Sequence, residues 1–202
     1  MAIIWPCPLS ASSYAATGRE ITPPALTCPS CSRLLTGWGG YWRWVRVEGE
    51  GEQRIWIRRG WCAQCRRAQA LLPSFVLFRR LDEDAVIGSA LTLAAGGTGA
   101  RKVAQQLGRP HTTVRAWWRR ASAQAPTLLA SLLEVATSLD AAPVDLMKDG
   151  LAGVLEALEA AWERARRYLG DRLPDRWGFW SLISGGLALA TNRSPLFPAR
   201  GG

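Results

Sequence analysis

Two pairs of cysteines, Cys28-Pro-Ser-Cys31 and Cys62-Ala-Gln-Cys65, constrain this chain more than any other feature. In each C-x2-C loop both sulfurs can reach one tetrahedral ion at about 2.3 Å, so a shared ion would draw the two loops together across the 30 residues between them. Four sulfurs complete a tetrahedral shell and leave no position for water. One zinc ion held this way is structural and activates no nucleophile. A redox dithiol is the rival for either loop alone, but two loops bracketing one segment favour the metal. Cys7, between Pro6 and Pro8, has no partner loop and reads as an incidental thiol.

Between the loops, Tyr41 to Val47 and Arg54 to Trp61 are β-rich runs with partial alternation, and they flank the polar, glycine-bearing stretch Glu48 to Gln53. A hairpin is the natural reading. Hairpins this small are marginal alone, so the metal is expected to supply much of its stability. Trp38, Trp42, Trp44, Trp56 and Trp61 are interleaved with Arg43, Arg46, Arg54, Arg58 and Arg59. Such a pattern can form a stacking surface for nucleic acid, RNA included. Alternation on a hairpin can equally turn the indoles inward, and the tryptophans are expected to be the hairpin's core, with the arginines exposed. Two cysteine loops around a hairpin resemble a zinc ribbon over residues 26–70. The gap between the pairs is longer than the usual ribbon spacing, and neither loop is followed by the common glycine.

A second constellation lies in Gly99 to Arg120. Val103, Ala104 and Leu107 are spaced for the inner face of a short helix, Gly108 suits a left-handed turn, and Val114 and Trp117 resume the inner face. Pro110 suits the first turn of the second helix, where Thr112 and Thr113 offer hydroxyls. Asp82, Glu83 and Asp84 sit where acids favour a helix N-terminus, so a preceding helix is expected over about Leu81 to Ala95. Gly96-Gly97-Thr98-Gly99 ends it as a helix-helix turn; the Gly-Lys-Ser/Thr of a phosphate loop is absent. The small residue Ala104, the glycine Gly108 and the apolar Val114 and Trp117 resemble the bacterial helix-turn-helix, here within a three-helix, homeodomain-like unit over residues 81–125. That resemblance implies a second helix lying in a DNA groove. His111, Thr112 and Arg115 would read bases, Arg101, Lys102, Arg119 and Arg120 would anchor phosphates, and Thr113 would stand at the helix start. The rival is an ordinary helical hairpin with a solvated basic face.

Charge follows the same division. Residues 1–80 carry 11 Arg/Lys against 4 Asp/Glu, residues 81–125 carry 6 against 3, and residues 126–202 carry 8 against 9, so the net +9 sits wholly in the first 125 residues. Confinement of this kind is what a footprint for phosphates requires.

Beyond Pro126 the composition is that of a helical appendix: an apolar helix from Thr127 to Leu139, and one from Pro143 to Leu169 with a seam of Met147, Leu151, Val154, Leu158, Ala161, Ala165 and Tyr168. That seam would pack within the chain or serve a homodimer. A last helix is expected from Arg176 to Ala190.

A zinc ribbon followed by such a helix-turn-helix resembles the N-terminal region of bacterial insertion-sequence transposases and related actinobacterial-type DNA-binding proteins. In the transposases an α/β nuclease domain with three metal-binding carboxylates follows; here the 77 residues after Ala125 read as helices. The resemblance therefore implies DNA binding without cleavage. With one histidine, His111, the usual parts of acid-base or open-zinc chemistry are also missing, and no enzyme or small-molecule substrate is expected.

The expected fold class is α+β. An extended lead-in (1–25) precedes a zinc ribbon (26–80), a helix-turn-helix domain (81–125), a helical packing or dimerisation region (126–190) and a loose tail (191–202). Double-stranded DNA is the expected partner, with a protein-interaction adaptor as the alternative. The N-terminus lacks a signal peptide's basic start and apolar core, and no apolar run reaches membrane-spanning length, so a cytoplasmic, nucleoid-associated protein is expected.

Overall fold

A computed structural model describes residues 2–190; the tail expected over 191–202 lies outside the described residues. The fold is α+β, with one four-stranded sheet and six α-helices among those residues. The hairpin forms where alternation placed it, from β2 (Thr36–Val47) and β3 (Gly51–Cys62), antiparallel with Val47 opposite Gly51 at the tip. Near its other end the register shifts between Gly37 and Gly40.

The hairpin does not stand alone. β1 (Ala2–Trp5) and β4 (Arg67–Pro73) extend it in the order β1-β4-β3-β2, with β1 parallel to β4 and β4 antiparallel to β3. The lead-in expected to be extended therefore holds a strand and a helix: β1 is a sheet edge, and α1 (Ala11–Thr17) buries Ala11 and Tyr14. Its first turn is capped by Ser10, whose hydroxyl accepts from the Ser13 N–H. β4 buries Gln69, Leu71, Leu72 and Pro73 and takes an inner place in the sheet.

The hairpin contributes aliphatic residues to the sheet's core, not its tryptophans. Val45, Val47, Ile55 and Ile57 are buried with Trp5, Tyr14, Leu72, Phe75 and Val76, whereas Trp38 and Trp44 are each 52% exposed. The pleat sends the β-branched residues inward and puts Trp42, Trp44, Trp56 and Arg54 on the opposite parity. With two further strands and a helix to pack against, the hairpin has no need of the indoles for its core.

The second core is helical. α2 (Asp84–Ala95), α3 (Ala100–Gln106) and the start of α4 (His111–Leu139) bury Val86, Ile87, Ala90, Leu91, Val103, Ala104, Val114 and Trp117 together. α4 is one helix of 29 residues and does not break at Pro126. Its buried stripe, Val114, Trp117, Ala121, Ala125, Leu128, Leu132 and Ala136, keeps helical phase straight through the proline. Pro126 removes only the N–H that would have bonded the Ser122 carbonyl, and both residues are exposed, so water can reach that oxygen.

α5 (Gly150–Leu169) starts seven residues later than the expected Pro143 and packs against α4 through Val154, Ala157, Leu158, Ala161 and Ala165. Val154, Leu158, Ala161 and Ala165 of the expected seam are buried within the chain, and its outer members Met147 and Tyr168 lie exposed. Arg164, buried on the same face, donates to the carbonyls of Ala136, Asp140 and Pro143 at 2.7 to 3.1 Å, satisfying oxygens left over where α4 ends. α6 (Arg176–Ile183) is shorter than expected and is followed by turns. It returns to the sheet: Ser181 Oγ donates to Val76 O at 2.9 Å and Phe78 N to Gly186 O at 2.9 Å.

Candidate metal centre and basic helix face

The four paired cysteines come together. The Sγ atoms of Cys28, Cys31, Cys62 and Cys65 all lie within 4.8 Å of one another, with Cys28 to Cys65 at 3.8 Å and Cys31 to Cys62 at 3.4 Å. A tetrahedron of sulfurs about 2.3 Å from a zinc has edges of about 3.8 Å, so these separations fit one thiolate-bound ion. The set is all sulfur, with two members buried and two half-buried. Four thiolates this close repel one another, and a central cation removes that cost.

Local backbone positions each loop. The Cys28 N–H donates to Arg33 O and the Ser32 N–H to Cys28 O, both at 2.8 Å, while the Cys65 N–H donates to Cys62 Sγ at 3.4 Å. The hydrogen bond from the Ser30 N–H draws the Cys28 thiol down to about 7, and the bond with the Cys31 thiol pushes Cys65 up to about 12. Ser32 and Arg66, each directly after the second cysteine of a loop, have φ of 57° and 52°. They hold the left-handed conformation that glycine holds more cheaply, so each loop turns without a glycine there. Cys7 stands apart: it is buried beside Ser74, and burial pushes its thiol up to about 11. Its surroundings are those of an inert thiol.

On α3 and α4 the expected residues divide by exposure. Arg101, Lys102, Thr112, Arg115 and Arg119 are exposed; His111, Thr113 and Arg120 are half-buried. Among the described residues none of the cations Arg101, Lys102, Arg115 and Arg119 has an ion-pair partner. Arg120 diverges from this set, lying close enough to Arg80 for its charge to help pull the Arg80 pKa down, behind the larger effect of burial. Gly108 takes φ +60° in the turn, and Pro110 stands one residue before α4.

The sequence reading missed Arg109. Its guanidinium lies in the same turn, donates to the Leu107 carbonyl at 3.2 Å, and pairs with the Asp82 carboxylate, both side chains nearly buried. The only signal was an acid and a base near two helix starts, too common a pattern to single out.

Residues 28–117 match a family model described as Domain of unknown function (DUF6431). The match covers 90 of the 202 residues, opening on the first cysteine of the cluster and closing on Trp117. It takes in both cysteine loops, β2, β3, β4, α2, α3 and the first two turns of α4, and stops before the helices that pack behind them. No curated protein matches the chain, and no solved structure does. Among the described residues no helix is long and apolar enough to cross a membrane.

Proposed function

We propose that this chain binds duplex DNA, with α3 and α4 acting as a helix-turn-helix and a structural zinc held by Cys28, Cys31, Cys62 and Cys65 in a ribbon-like module. The observation that carries the reading is the two-sidedness of α3 and α4: Val103, Ala104, Val114 and Trp117 are buried, while Arg101, Lys102, Thr112, Arg115 and Arg119 face solvent with no acid to neutralise the cations among the described residues. An exposed helix start carrying unpaired arginine and threonine is what major-groove readout uses.

In this reading Arg115, with Thr112 and His111, contacts base edges, and Arg101, Lys102 and Arg119 contact phosphates. Arg120, which lies near Arg80, contributes charge from the flank. The chain acts as a transcriptional regulator or a transposon-derived recognition protein, without nuclease chemistry, and resembles the N-terminal region of insertion-sequence transposases. An adaptor that binds a protein partner is the second reading; the half-exposed Trp38 and Trp44 favour it to the extent that they mark a contact surface.

The test is fluorescence anisotropy of the metal-loaded chain with a randomised duplex pool, titrated with salt and followed by sequencing of the bound fraction. Affinity should fall steeply with salt, by a slope of about 0.9 per phosphate contact, with a motif enriched. Arg115→Ala should cost about 1–3 kcal/mol on that motif and relax preference at one position. No binding at moderate salt would remove the DNA reading and leave the adaptor.

A further inference from the structure

We infer a second nucleic-acid site at the cysteine end of the hairpin: a groove centred on Trp38 that takes an unpaired nucleotide of single-stranded DNA. A cavity of about 560 Å³ opens between residues 22–26 and the bulged end of β2 and β3, lined among others by Pro24, Leu26, Gly37, Trp38, Arg58 and Arg59. That size suits a small ligand.

Three features define its occupant. Trp38 stacks on Trp61, with ring centroids 4.9 Å apart and planes 27° apart, yet remains 52% exposed, so part of its indole is free to stack again. Charge is the second. Between Cys28 and Leu81 there are ten arginines and three acids, and the acids Glu48, Glu50 and Glu52 are all at the hairpin tip, the end away from the groove. Arg33 and Arg66 in the adjoining loops, and Arg67 at the start of β4, are exposed and lack acidic partners among the described residues. Arg59 lines the groove itself, half-buried, while Arg58 is engaged by the Ile21 and Arg19 carbonyls. A flat aromatic platform inside a field of arginines fits a base with its phosphates.

The third feature is Gly37. Gly39 needs glycine for its φ of +64°, and at Gly40 a Cβ would strike the Ile57 carbonyl oxygen at 2.4 Å. Gly37 has neither reason: its φ is ordinary, and a Cβ there would meet nothing within 4 Å. Glycine in a strand weakens it, and here the strand gains no packing in return. The absent side chain leaves the groove open beside Trp38, where a ligand can approach the backbone.

A base inside a duplex is stacked on both faces, so only an unpaired strand can lay one on Trp38. The site is separate from α4; only the choice of DNA over RNA rests on the duplex reading proposed above.

The experiment is fluorescence anisotropy of the full metal-loaded chain with a short labelled oligothymidylate, the matching oligouridylate, and the randomised duplex pool. Oligothymidylate should bind at least as tightly as oligouridylate. Trp38→Ala and Gly37→Val should each weaken it about tenfold or more, and Trp38→Phe should retain most of the affinity. Arg115→Ala should leave it within about twofold, since that residue lies on another element. Metal content is measured for each variant; if Trp38→Ala loses its metal, Gly37→Val and Trp38→Phe decide. The inference is overturned if the wild-type chain ignores oligothymidylate, if Trp38→Ala and Gly37→Val bind it as wild type does, or if oligouridylate binds clearly tighter. Loss of the duplex arm with the oligothymidylate arm intact would sink the α4 reading and leave this one standing.

Discussion

Arg109 and Asp82 tie the turn between α3 and α4 to the residues just before α2. Both side chains are nearly buried, so the pair differs from a surface ion pair: removing one member strands a charge away from water. Arg109→Ala should therefore destabilise the protein by about 3–5 kcal/mol, measured by urea unfolding followed by circular dichroism. A loss under about 1 kcal/mol would mean that water reaches Asp82 and the tie is weak. The neighbouring acids show how little identity alone decides. Asp82, Glu83 and Asp84 look alike in the sequence, as charges at a helix start. In the fold Asp82 is an ion-pair partner, Glu83 precedes the first helical residue, and Asp84 is buried with Oδ2 lacking a partner. Burial holds the Asp84 carboxyl well above the usual carboxylate range, with the charges of Asp175 and Glu83 adding to the effect. These fates depend on which residues distant in sequence pack nearby, a fact that local pattern does not carry.

α4 is the element that joins the proposed reading head to the helices behind it, and Pro126 sits inside it. Proline in a helix interior costs about 3 kcal/mol relative to alanine, partly offset because proline also restricts the unfolded chain. Pro126→Ala should thus stabilise the protein by about 1–3 kcal/mol in urea unfolding, without loss of helix content. Destabilisation would mean instead that the helix needs a bend at this point to seat Ala125 and Leu128 together. The proline hid the helix from sequence reading, although the spacing of Val114, Trp117, Ala121, Ala125 and Leu128 already ran through it. The hairpin, by contrast, was legible, because an antiparallel pair joined by a polar turn displays its own period. β1 and β4 were not: Ala2–Trp5 pairs parallel with Ala70–Pro73, a partner far along the chain, and short apolar runs carry no period that tells strand from connector. The cysteine cluster was fully legible because metal geometry ties residue type to spacing. The groove at Trp38 was not, since Trp38 took its meaning from a register shift and from Gly37, neither visible as pattern.

At the scale of the whole molecule the described residues form two cores, one under the sheet and one among the helices, joined where the chain returns from α6 and where β2 meets the start of α2. The fasteners include the Ser181 hydroxyl on Val76 O, the Phe78 N–H on Gly186 O and Arg80 donating to Leu189 O at 2.6 Å, and, at the start of α2, the Arg46 N–H on Leu81 O at 2.9 Å and the Glu83 N–H on Arg46 O at 3.0 Å. This arrangement changes what a metal held by the four cysteines would have to do. A lone hairpin would depend on it, but β2 and β3 also lean on β4, β1 and α1 around their own buried aliphatic residues. The cysteines sit at one end of that unit, in loops held by few bonds beyond those to their own backbone. Removal of the ion by a strong chelator should therefore free the loops near residues 26–35 and 62–67 while the helices and most of the sheet persist. Hydrogen exchange would quicken at the amides of Cys28, Ser32 and Cys65, and far-ultraviolet circular dichroism would change little. The groove at Trp38 shares those loops, so the proposed oligothymidylate binding should fall with the metal, whereas the duplex binding proposed for α4 should survive. Global unfolding on chelation would instead make the ion the keystone of both cores, with the α6 fasteners transmitting its loss to the helices.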